Sequence, residues 1–184
     1  MMRSMDSHHD QVQRLRAQAQ SNPARLYFAY STILDRAAFD DWRREHGYTS
    51  FELPRGERVE ALDVELVYDF PSRWWGGRVA GLADKPGASV HGVLFEIPGP
   101  DWAIIQHKEG AITGMCVERK VRVHASAAVG APERVLTATA FTTNPARARR
   151  DGPVSVRFVE ALERGARSAG LPEAYLQGLR AGER

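Results

Sequence analysis

The 184-residue chain predicts an α+β fold in which a bent sheet or small barrel is built in the middle and helices lie at the ends. Three observations lead there. Alternating, extended segments gather between about residues 58 and 143, and segments of helical period occupy the flanks. Hydrophobic residues make up 43% and charged residues 26%, the balance of a soluble globular chain, in a length that fits one domain. Residues 25–184 form that domain, and 1–24 precede it.

Residues 1–24 are polar, rich in Gln, Arg, Ser and His, and end in the turn-like SNP, so a mobile tail or short solvated helix is expected. His8 and His9 read as solvated side chains there. LYFAY is a buried strand. Asp35 caps a helix, RAAFDDWRREHG, with Phe39 and Trp42 three apart on one face and Gly47 as its stop. VEALDVELVYDF alternates as a long strand closed by Pro71. After RWWGG, the residues Lys85, Pro86 and Gly87 mark a tight turn. SVHGVLFEI is a strand, Asp101 caps a short helix through Glu109, and GMCVERKVRVHA and RVLTATAFTTN are two more strands. Arg147, Arg149 and Arg150 form a solvated connector. Two helices follow, VSVRFVEALERGARSAG with Val156, Val159, Leu162 and Ala166 on one stripe, and PEAYLQGL.

A formal net charge of +2, with bases interleaved among acids, gives no reason to expect a nucleic acid. Cys116 is the single cysteine, so an intramolecular disulfide and a cysteine-based zinc site are excluded and a cytoplasmic setting is expected. No apolar run approaches the roughly 18 residues of a membrane span. G-x-S-x-G, P-loop and dinucleotide fingerprints are lacking.

Glu109, followed at once by Gly110 among Ile104, Ile105, Ala111, Ile112 and Met115, is the most unusual local feature. Partial desolvation there raises a carboxyl toward the range useful in proton transfer, whereas a surface Glu beside a helix-ending glycine is the plain alternative. The pair Gly76–Gly77 marks a bulge or close backbone approach, by packing or by a ligand. His91 and His107 read as structural residues, and Cys116 has no local signature of a nucleophile.

The ordered set YFAYSTIL, RWWGGRVAGL, SVHGVLFEI, HKEGAITGMC, TAFTTN and GLPEAYLQGL resembles the γ-glutamylcyclotransferase-like proteins, from about Leu26 to Leu179. The resemblance implies a small mixed β-barrel with flanking helices and an enzyme that releases 5-oxoproline from a γ-glutamyl amide, with no cofactor or metal. It implies Glu109 as the general acid–base residue. Tyr30, Ser31, Thr32 and Ile33 match the family's binding loop Tyr-Gly-Ser-Asn, and Gly76, Gly77, Cys116 and Phe158 join them as substrate-binding candidates. Ser31 stands for the glycine, Ile33 for the asparagine, and Cys116 and Phe158 for tyrosines common in the family, which implies a less polar pocket and a changed substrate.

Three readings stay open: a cyclotransferase with an unusual leaving amine, such as one that removes γ-glutamyl protecting groups in specialised metabolism; another proton-transfer reaction on the same carboxylate, a cyclisation or elimination; and a binding protein without catalysis. The expected partner is a small-molecule substrate, with a homodimer as the possible assembly and neither nucleic acid nor membrane.

Overall fold

The computed structural model describes residues 2–125 and 133–181. Five strands, β1 (Arg25–Ala29), β2 (Glu57–Ser72), β3 (Gly77–Ile97), β4 (Cys116–Ala125) and β5 (Arg134–Thr143), close into a barrel in the order β1-β3-β2-β4-β5. Four neighbouring pairs are antiparallel, and the closing β1–β5 pair is parallel, with Tyr27 opposite Thr139. The barrel is therefore mixed. Helices α1 (Met2–Gln18), α2 (Arg36–Glu45), α3 (Trp102–Lys108), α4 (Val156–Ser168) and α5 (Glu173–Ala181) flank it.

Side chains alternate across a strand, and around β1 this divides two cores. Phe28 and Tyr30 fill the barrel with Val59, Ala61, Leu82 and Val123. Tyr27 and Ala29 face outward, onto Trp102, Ile105, Phe158 and Leu162 of the helices. Small residues make room for the large ones inside. A Cβ on Gly92 would lie 2.3 Å from the Ala29 carbonyl oxygen and 2.6 Å from the Phe28 ring, so only glycine fits beneath that ring.

Several local expectations change in the closed barrel. Pro71 does not close β2, which runs on to Ser72 and pairs with Gly77 across a hairpin. Lys85–Gly87 are not a turn between strands but part of β3, bent around a bulge at Asp63. Asp63 adopts φ +58, accepts the Gly87 amide on Oδ1 at 3.0 Å and holds Arg122 on Oδ2. A bulge of this kind turns a barrel corner without breaking the strand. Val156, expected on the buried stripe of α4, is 61% exposed, because Ser155 caps the helix and leaves Val156 on its outer first turn.

Residues 2–18 are not a mobile tail or solvated helix. They form α1, docked on α3 with Val12 fully buried and Arg16 bonded to Asp101 at 2.8 Å. Asp101 therefore engages Arg16 and makes no side-chain cap on α3. Asp35 does cap α2, accepting the Ala38 amide, and Gly47 ends it at φ +76.

Docking of α1 also brings His8 and His9 out of the solvent role expected of them. They meet His46 and His107 in one cluster around Trp42 and Tyr48. His8 and His46 lie 5.7 and 5.3 Å from His107 by ring centroid, His9 stacks on Tyr48, and the Tyr48 hydroxyl is 2.7 Å from His107 Nδ1. Burial, helped by His46, His8, His9 and Lys108, lowers the His107 pKa from 6.5 to about 4. The unfolded chain then binds a proton between pH 6.5 and 4 that the folded chain refuses, so this contribution is complete above 6.5 and is lost as pH falls toward 4. Allowing for solvent around the cluster, acidification through that window costs on the order of 1–2 kcal/mol. Thermal melts of the wild type should drop by about 2–4 °C for each kcal/mol lost, and His107→Gln should flatten the drop. An unchanged pH profile in that variant removes His107 as its cause.

Candidate active site

Glu109 is presented by a short helix fixed at both ends. At its start, the Trp102 indole N–H donates to Glu118 Oε1 at 2.7 Å, while Arg25 lies 3.8 Å over the Trp102 ring and binds Glu118 Oε2 at 2.6 Å. At its end, Gly110 adopts φ +77, the left-handed conformation that favours glycine, and the Ala111 amide returns to the Gln106 carbonyl. The following loop is stapled to the end of β5: Asn144 donates its side-chain amide to the Gly114 carbonyl at 2.9 Å and its backbone amide to Met115. The carboxyl of Glu109 is thereby turned toward β1.

There, the Tyr27 phenol donates to Glu109 Oε1 at 2.7 Å. Glu109 keeps some surface access while protein surrounds its carboxyl. Burial raises its pKa, opposed by the Tyr27 hydrogen bond and by Lys108. Tyr30 points into the barrel, and its hydroxyl donates to the Phe141 carbonyl at 2.6 Å. Burial, Glu109 and Asp69 together push the Cys116 thiol up to about 12, so Cys116 is a neutral thiol and not a nucleophile at ordinary pH. Burial, then Glu109, Cys116 and Asp69, also raise the Tyr30 phenol well above its usual value.

Asp69 thus stands beside the same two side chains as Glu109. It sits at a break in β2–β3 register between Tyr68 and Phe70, and it accepts the Thr143 hydroxyl at 2.5 Å. Gly81 leaves the space, since a Cβ there would lie 2.6 Å from Asp69 Oδ1 and 2.7 Å from Thr143 Oγ1. Sequence reading missed both Asp69 and Tyr27. The bulge that aims Asp69 shows only against the partner strand, and the alternation of LYFAY turns Tyr27 outward without naming what it meets.

The structure gathers Glu109, Cys116 and Tyr30. Ser31, Thr32 and Ile33 follow directly, with a 3₁₀ turn over Thr32–Leu34. Ser31 has φ −119, extended backbone that any residue adopts, so serine in place of the expected glycine costs no strain. Ile33 is buried against the helices, and α4 presses on the turn: a Cβ on Gly165 would lie 2.7 Å from the Asp35 amide nitrogen.

Gly76 and Gly77 are assembled elsewhere, and Phe158 packs beside their hairpin from the same outer core that Tyr27 faces. Gly76 is at the tip of the β2–β3 hairpin, with φ +71, and Gly77 passes against residues 153–155, where a Cβ would lie 2.8 Å from the Ser155 amide nitrogen. Phe158 is 3% exposed and packs edge-on against Trp75 and Tyr68. These contacts belong to the hairpin and α4. His91 lies 4.9 Å from the Tyr175 ring, and His107 faces α1 and α2, so neither imidazole joins the Glu109 group. Two surface hollows, of about 330 and 730 Å³, share Arg55, Gly56, Arg58 and Ala169, and neither wall includes Glu109 or Cys116. Among the described residues, no group of three or more His, Cys, Asp or Glu could hold a metal ion, and no helix is long and apolar enough to cross a membrane.

Residues 89–179, which include Glu109 and Cys116, match the AIG2-like family. Solved structures share the fold over most of the chain. A gamma-glutamyl cyclotransferase superposes with a TM-score of 0.66 at 22% identity, covering 86% of this chain and 87% of its own. An uncharacterised human protein gives 0.67 at 23%, covering 87% and 88%. A yeast gamma-glutamyl cyclotransferase specific to glutathione gives 0.57 at 11%, covering 89% and 98%. No curated protein sequence matches the chain.

Proposed function

The chain has the γ-glutamylcyclotransferase-like fold, with its residues 89–179 in the AIG2-like family, and from that premise we propose that it cyclises a γ-glutamyl amide to 5-oxoproline and a free amine. The observation that carries this is the Glu109 carboxyl, surrounded by protein, raised by that burial and hydrogen-bonded by the Tyr27 phenol at 2.7 Å. The substrate's α-ammonium, with a pKa of about 8, must lose a proton before its nitrogen attacks the γ-carbonyl. Glu109 takes that proton. The amine attacks the γ-carbonyl to form the new C–N bond, and as the old C–N bond breaks, Glu109 returns its proton to the departing nitrogen. The second proton, shed by the ring nitrogen, leaves with that amine as an ammonium. Closing a five-membered ring within one bound molecule exploits effective molarities of up to about 10⁵–10⁸ M, so the reaction asks for no side-chain nucleophile.

The leaving amine is unlike that of a housekeeping cyclotransferase in this proposal, because Cys116, a neutral thiol where a tyrosine phenol is common in the family, offers little to a polar group. Removal of a γ-glutamyl protecting group in specialised metabolism fits such a lining. The same loss of polarity favours a second reading, in which Glu109 serves a cyclisation or elimination on a less polar substrate. Mass spectrometry of γ-glutamyl amines and peptides incubated with the wild-type protein separates them. Release of 5-oxoproline from any of them supports the cyclotransferase, and release from none across a broad panel rejects it.

A further inference from the structure

We infer that Tyr27 is the positioning residue of Glu109: its phenol occupies Oε1, so that the proton moves to and from substrate on Oε2. This rests on Glu109 being the proton-transfer group proposed above. The bond is short, 2.7 Å, and its donor cannot wander. Tyr27 is 2% exposed, and its ring is held between Phe95 at 6.2 Å, Trp102 at 6.1 Å and Phe141 at 5.9 Å by centroid, the last two edge-on. The direction of donation is fixed as well. Burial first, then Glu109, raises the Tyr27 phenol well above its ordinary value, so it remains a protonated donor and never competes as a base.

A donor on one carboxylate oxygen does two things. It stops the carboxyl from rotating between equivalent poses, and it favours the charged form of a group that burial would keep neutral. The other ionisable groups that interact with this carboxyl are Lys108 on α3, which lies 5.0 Å over the Trp42 ring, Tyr30 beside β1 and Cys116 on β4, with Asp69 on β2 acting in turn on Tyr30 and Cys116. Of these, Lys108 also favours the carboxylate, but through charge alone. Tyr27 is the group hydrogen-bonded to it.

Tyr27→Phe keeps the ring and removes the donor. The Glu109 titration is followed by carbon-13 NMR of glutamate-labelled protein without substrate, with the resonance assigned from Glu109→Gln. The midpoint should move to higher pH in Tyr27→Phe, and the acid limb of kcat/KM should move with it. At a pH below the wild-type midpoint, kcat/KM should fall about tenfold, with KM nearly constant. Placing 3-fluorotyrosine at position 27 strengthens the donor and should move the midpoint the other way, a sign reversal that lost packing cannot produce. A midpoint unchanged in both proteins, or shifted in the same direction by both, overturns the inference. The titration needs no turnover, so failure of the cyclotransferase reading appears in the wild-type panel and failure of this one in the NMR.

Discussion

Glu109→Gln should lower kcat for 5-oxoproline release by about 10²–10⁴-fold and leave the fold intact. The substitution is close to isosteric, and the glutamine carbonyl oxygen can still accept the Tyr27 phenol that now reaches Oε1 at 2.7 Å. What it cannot do is take the ammonium proton or return one to the leaving amine. The neutral amide also removes a charge that burial disfavours, so the melting temperature should hold or rise slightly. Product quantification by mass spectrometry and a thermal melt of the same preparation check both halves. A variant that retains activity within tenfold of wild type would mean that another group carries the proton.

Phe158→Ala should destabilise the protein by about 3–5 kcal/mol. Its ring is 3% exposed at the first turn of α4, where its own amide donates to the Ser155 hydroxyl, and it meets Trp75 at 5.4 Å and Tyr68 at 6.5 Å by centroid. Truncation would empty the space between the hairpin and α4 and undermine the passage of Gly77 past residues 153–155. Phe158→Leu should recover most of the loss, since it refills most of that space. Urea or guanidinium unfolding measures the difference. The opposite pattern, a raised KM with less than about 1 kcal/mol of lost stability, would support the substrate-binding role expected of Phe158 from the sequence.

What could be read beforehand follows from how local each signal is. Glu109 stood out because a helix-ending glycine and apolar neighbours are adjacent in the chain, features that allow a desolvated carboxyl or a surface Glu at that helix end; burial in the fold decides between them. The strands, the Asp35 cap and the Gly47 stop are likewise set within a few residues. Asp69 gave no such signal. In VEALDVELVYDF it is one polar position of an alternating strand, and it becomes part of the site because a register break aims it, Gly81 on the next strand leaves room and Thr143 of a third binds it. The histidine cluster is similar: its four members come from α1, the end of α2 and α3, and docking alone brings them together.

The amino-acid sequence by itself determined the α+β class, the order of most elements, the helix stops and the place of Glu109 beside a helix-ending glycine. Hydrophobic period, capping and glycine conformation act over one turn or one strand, so they are written locally. Tertiary structure alone decided that α1 docks, that Lys85–Gly87 bend a strand instead of ending it, that Phe158 packs under the hairpin, and that Tyr27 and Asp69 stand at the site. These depend on closure of the barrel, which fixes the register of strands far apart in the chain and with it every contact across them.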